Sequence, residues 1–227
     1  MVSKKCIKLV LSGMVALSLA GCKTEVNVNT YISDAFSNDN VTTPATMLLE
    51  IPSCSSQDEY SGKVLAIFST SSEAKITGCE QKGMESFLAI SLNAEIASKN
   101  SNHDLIIFRE IIETTVDVEG GTYEVRGLKA HLNTNFITRV QTLLSENFQT
   151  LTYDDIKLEV TINNDERNDT FVTANYVWVD NEPYATFYKQ KLPRRGRVNL
   201  KFSNLLSDLA LRNKQPNVAY VYRSADR

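Results

Sequence analysis

The segment Leu19-Ala20-Gly21-Cys22 constrains this chain more than any other, because it decides which residues fold and in which compartment. It follows Lys4, Lys5 and Lys8 and an apolar run from Leu9 to Leu19. That is the layout of an export signal, with a positive start held at the cytoplasmic face, a short apolar stretch for the translocon and small residues that admit a peptidase. The run is shorter than the roughly 20 residues a bilayer-spanning helix needs. The reading is a lipoprotein signal peptide over residues 1–21, cleaved before Cys22, with a diacylglyceryl group on that thiol. Two or three acyl chains then hold the mature protein durably on a membrane. In the bacterial lipoprotein class this segment resembles, an Asp after the lipidated Cys favours retention in the inner membrane. Lys23 occupies that position and points to the periplasmic face of the outer membrane.

Cysteine usage agrees with export. Cys6 leaves with the signal and Cys22 is acylated, so Cys54 and Cys79 remain. In an oxidising periplasm two such thiols are expected to pair, and closing a loop of this length contributes about 3–4 kcal/mol in the chain-entropy model. They lack the close Cys-x-x-Cys spacing of a redox pair.

The signal carries three of the 24 basic residues and no acid, so 21 basic residues face 27 acidic ones in the mature chain, a net charge of −6. Such a balance argues against a general nucleic-acid binder, which needs a basic footprint to neutralise phosphates. Roughly two hundred residues rich in Val, Ile, Leu and aromatics are enough for a core without metal or dense disulfides.

Hydrophobic periodicity switches between strand and helix along the chain. Ile156, Leu158, Val160 and Ile162 alternate with Lys157, Glu159 and Thr161, a strand with one wet face. Ser56 and Glu59 have capping-box spacing ahead of Tyr60, Val64, Leu65 and Phe68, and Phe136, Ile137, Val140, Leu143 and Leu144 recur at helical spacing after Thr134. Gly120-Gly121 and Asp180-Asn181-Glu182-Pro183 read as hairpin turns, Leu205–Leu211 as a short helix and Val218–Tyr222 as a last strand. The expected fold class is α+β, an antiparallel β-sheet with helices packed on one face. Strand–helix–strand patterns at Val26–Ile51, Leu128–Ile162 and Val198–Val221 fit two similar halves, 22–101 with the disulfide and 102–227, and equally fit coincidence.

Catalytic constellations are scarce. His103 and His131 are the two histidines and have no zinc-site spacing around them, so no metal is expected. Ser72-Glu73-Ala74-Lys75 matches S-x-x-K, yet the SDN and KTG partners are missing. Asn163–Asp169 is rich in oxygen ligands, but Arg167 stands where an EF-hand needs an oxygen, and the loop reads as a solvated hairpin tip. No cofactor is implied beyond the lipid on Cys22. One charge feature stands apart: Lys189, Lys191, Arg194, Arg195, Arg197 and Lys201 lie within thirteen residues around the Pro193–Gly196 turn. Such a patch suits lipid phosphates, lipopolysaccharide or an acidic protein face, and it also suits a charged hairpin that resists edge-to-edge pairing. Tyr176, Trp178, Tyr184 and Tyr188 lie close by in sequence.

At Cys22-Lys23-Thr24-Glu25-Val26, Ile32-Ser33-Asp34, Glu50-Ile51-Pro52-Ser53-Cys54, Cys79 and Val177-Trp178-Val179-Asp180, the chain resembles an uncharacterised family of small membrane lipoproteins encoded in tailed phages, prophages and some bacterial genomes. The resemblance implies a lipoprotein with paired Cys54 and Cys79 and carries over no catalytic residue. The expected function is a non-enzymatic envelope lipoprotein that binds another envelope component and, if phage-encoded, excludes superinfecting phages. The alternative is an envelope enzyme acting on peptidoglycan or lipid with a site built from scattered carboxylates.

Overall fold

The structure is a computed structural model that describes residues 23–98, 101–146, 151–152, 155–179, 182–185, 188–204, 207, 209 and 217–225. The segment expected to be a signal peptide, Cys22, Asp180 and Asn181 of the expected hairpin turn, and most of Leu205–Leu211 lie outside the described residues.

β1 (Thr24–Tyr31) buries alternate residues, Val26 and Val28 among them, and sits between β2 (Val41–Ile51), antiparallel, and β7 (Ile156–Asn163), parallel. Beyond β2 comes β4 (Glu85–Ala97). The free edge of β4 is shared: β3 (Lys75–Lys82) covers its first part as a hairpin, and β5 (Leu105–Val118) runs parallel to its last residues. β5 folds back as β6 (Gly121–Leu132) through Glu119 and Gly120, both with positive φ, the two-residue turn whose twist matches a hairpin. β13 (Ala219–Ser224), β8 (Thr170–Ala174) and β11 (Tyr188–Leu192) continue on this side. On the other side of β7 lie β12 (Arg197–Phe202), β9 (Val177–Val179) and β10 (Glu182–Tyr184).

The segment Thr170–Leu192 forms both edges of this sheet. Its base, β8 with β11, extends the sheet past β13, and its tip, β9 with β10, extends it past β12. Only Asn175 and Tyr176 separate β8 from β9, a span of about 11 Å at full stretch, so the two edges must meet. Tyr184 and Tyr188, one on each edge strand, have ring centroids 4.7 Å apart. The sheet is therefore a nearly closed barrel. The inward residues of its strands, including Val26, Met47, Ile90, Leu158, Ile162 and Leu200, form one continuous core.

This overturns the expected α+β layering. The protein is mostly β, and its helices cover no face of the sheet. α1 (Ile32–Ala35) is a single turn. α2 (Gln57–Leu65) and α3 (Thr134–Ser145) lean on each other, with Phe68 beyond α2 meeting Phe136 at 5.1 Å, and their buried residues join the same core. The physical reason is that a half-buried strand alternates in the same way whether a helix covers its apolar face or the sheet curls over it. Pairing of β1 with β7 and of β4 with β5 also puts 22–101 and 102–227 into one sheet. The Asn163–Asp169 loop is not a hairpin tip, because β7 and β8 are not partners; it crosses from one side of the sheet to the other.

Candidate functional site

Residue 24 opens β1, whereas Ser33 follows the far end of β1, Asp165 the far end of β7, and Arg197 opens β12 opposite Asn163. Strand length separates this far rim from residue 24 by about 26 Å.

Asn164 builds the rim. It is almost fully buried, and its Nδ2 donates to the carbonyls of Asn168, Leu192 and Pro193 at 3.0–3.1 Å. Its Oδ1 accepts the Glu166 N–H, its own N–H donates to Gly196 O at 2.8 Å, and its carbonyl accepts the Arg195 N–H at 2.9 Å. One side chain thus locks the 164–169 crossover to the 193–196 turn. That turn needs its glycine, since a Cβ at Gly196 would lie 2.8 Å from Pro193 O.

Four of the six basic residues gather at this rim. Arg194, Arg195 and Arg197 are exposed and make no ion pair among the described residues, and Lys191 pairs with Asp169 at 3.3 Å. Lys189 instead pairs with Glu119 at 3.0 Å, over the ring of Phe171. Lys201 lies four residues down β12, beside Trp178 and Glu159 in register, and lines a separate 240 Å³ depression with Glu25, Lys82 and Lys157. Trp178 is half-exposed rather than core.

A cleft of about 560 Å³ opens beside the turn, lined by Ser33, Glu166, Arg167, Asp169, Thr170 and Arg223 among others. Of the two acids on its lining, Glu166 and Asp169, Asp169 is engaged, and so is Asp165 next to it in the crossover. Asp165 accepts from the N–H and Oγ of Ser33. Asp169 accepts the Arg194 N–H at 3.1 Å, and this bond, then the Lys191 ammonium, holds its carboxyl below the usual range. Arg223 donates from Nη2 to Glu124 at 2.6 Å. Chain positions from 33 to 224 converge here, which no local spacing announces.

The remaining candidates are structural. Ser72 is buried, its Oγ donating to Asp104 at 2.9 Å, and Lys75 is exposed on β3, so the S-x-x-K pair builds no nucleophile. His131 lies on β6 near the Phe108 ring, and burial lowers its pKa. His103 precedes β5 in a turn. Among the described residues no group of three His, Cys, Asp or Glu could hold a metal ion, and no helix is long and apolar enough to cross a membrane. Cys54 and Cys79 are joined by a disulfide, with Cα atoms 5.6 Å apart.

Comparison with curated proteins and with solved structures finds no match. Residues 24–225, from the first residue of β1 to just past the last strand, match one family model, so the chain belongs to the family described as Domain of unknown function (DUF7424).

Proposed function

We propose that this chain is a lipid-anchored protein of the bacterial envelope, held by Cys22 on the periplasmic face of the outer membrane, and that it works by binding another envelope component rather than by catalysis. The observation that carries the reading is the position of the charged rim. One residue, Lys23, separates Cys22 from Thr24, so the tether is short, and the cleft and the Arg194–Arg197 turn stand at the other end of β1, β7 and β12. An anchored barrel of this kind offers its mouth, a common place for a ligand site, away from its own membrane. Binding is favoured over a two-carboxylate hydrolase because, of the two carboxylates that line the cleft, Asp169 already serves as acceptor for Arg194 and Lys191 and Glu166 is left by itself, whereas such a mechanism needs an acid and a base facing the substrate.

The resemblance to phage-encoded lipoproteins makes superinfection exclusion the biological role to test. Tailed phages plated on cells expressing the wild type are expected to lose efficiency. Cells with Cys22→Ser at matched abundance, or with Arg194, Arg195 and Arg197 all changed to Ala, are expected to regain it. Equal plating of a broad phage panel on all three strains would sink the exclusion role, and cross-linking from rim positions would then show whether any envelope partner is held.

A further inference from the structure

Lys23, the one residue between Cys22 and β1, is fastened to the barrel at three points. Its N–H donates to Glu50 Oε2 at 2.8 Å, its carbonyl accepts the Glu50 N–H at 3.0 Å, and its ammonium pairs with Glu85. The chain therefore leaves the barrel from a fixed place. Glu85 opens β4 directly after the turn from β3, and Lys82 on the other side of that turn pairs with Glu25 of β1 at 2.6 Å. Half-exposed ion pairs are weak singly. These two grip one hairpin tip from both of its strands and tie it to the residues that follow Cys22.

Strand register gives the direction in which the tip points. Thr24 lies opposite Leu49, and Leu49 opposite Leu88. Both pairings are antiparallel, so β4 runs the same way as β1, and residues before Leu88 lie on the Cys22 side. Met84, four residues earlier, is carried about 13 Å along the strand past the level of Thr24. Cys22 is two residues past Thr24, about 7 Å at full stretch. The tip and the thiol reach the same layer. The turn consists of Gly83 and Met84, with its positive φ at Gly83. It leaves Met84 99% exposed, the most exposed large hydrophobic side chain among the described residues. Single exposed apolar residues are ordinary; this one stands where the chain enters its anchor.

We propose that the β3–β4 hairpin tip is a second membrane contact, with Met84 inserted into the interface of the bilayer that holds Cys22. The inference rests on the lipid anchor proposed above and is independent of exclusion. Charge does not select the lipid, because Lys23 and Lys82 are offset by Glu85 and Glu25. The acyl chains supply the affinity. The apolar tip restrains the barrel from toppling about Cys22, so the Arg194–Arg197 rim is held away from the membrane.

The test uses the acylated mature protein in phosphatidylcholine vesicles. Trp178→Phe removes the single tryptophan, and Met84→Trp or Arg194→Trp then puts a reporter on the tip or on the far rim. With lipids brominated on their acyl chains, an indole at the interface is within reach of the quencher, and the tip reporter is expected to lose about half its emission. The rim reporter is expected to lose none, and the tip reporter of the unacylated Cys22→Ser form is expected to lose none either. Quenching at neither position leaves the tip in water, and equal quenching at both leaves the barrel without a fixed orientation; each overturns the proposal. Tip emission that shifts with protein concentration but not with brominated lipid overturns it in favour of a second copy. Should the tryptophan-free background fold poorly, Met84→Cys carrying a bimane in the otherwise unchanged chain reads the same contact. The mass of the N-terminal peptide reads the anchor separately. A peptide without acyl chains removes the anchor and this inference with it, whereas an acylated peptide beside an unquenched tip removes this inference alone.

Discussion

Asp104 is almost fully buried, and its carboxylate accepts from Ser69 N–H at 2.7 Å, Ser69 and Ser72 Oγ at 2.9 Å and Arg139 Nη2 at 2.8 Å. It ties the turn after α2 to β5 and α3. Asp104→Ala leaves those donors and the Arg139 charge without their acceptor and should destabilise the fold by about 3–5 kcal/mol, read as a lower urea midpoint. Asn164→Ala removes the lock between the crossover and the basic turn and should lower stability by about 1–3 kcal/mol. His131 gives a pH signature. Burial lowers its folded-state pKa, so below about pH 6.5 the unfolded chain takes up a proton that the folded protein refuses, and stability falls as pH drops. His131→Gln should flatten that part of the stability–pH curve; a curve superimposable on the wild type would remove the assignment.

At the scale of elements, β3 depends most on local fastening. Among the described residues it pairs only with β4, and Cys79 on it is bonded to Cys54 at the start of the short helical turn before α2. The enclosed loop is 25 residues, for which the chain-entropy model gives a loss of about 3 kcal/mol on removing the bond. Double replacement by Ser should therefore lower stability by that amount. In hydrogen exchange, protection should fall first over Lys75–Lys82 and Gln57–Leu65, with β1, β2 and β7 unaffected. A uniform loss across all strands would mean that the disulfide supports the whole barrel instead.

The whole molecule closes through partners far apart in sequence. Thr24 meets Ile156, a separation of 132 residues, and the Thr170–Leu192 hairpin reaches both sheet edges. Because one core runs through all of these strands, denaturant unfolding followed by far-UV circular dichroism and by Trp178 fluorescence should give a single coincident transition. Trp178 sits on β9, within the closing hairpin, so an earlier fluorescence transition would show that the seam opens before the barrel unfolds. Long-range pairing of this kind predicts refolding on the scale of milliseconds to seconds.

By itself the sequence determined what depends on neighbours a few residues away. Ile156–Ile162 had to be a strand with one buried face, Phe136–Leu144 an amphipathic helix, and the Gly120 region a hairpin, because side-chain period and turn conformation are local properties. Cys54 and Cys79 were legible through elimination of the other cysteines. Curvature was not legible: the same alternation serves an open helix-covered sheet and a closed one, and closure was decided by where β8 and β9 found partners. The candidate site was half legible for the same reason. The Arg194–Arg197 cluster is contiguous and showed itself, while Ser33, Asn164, Arg167 and Arg223 are brought to one rim only by strand pairing, which no spacing along the chain encodes.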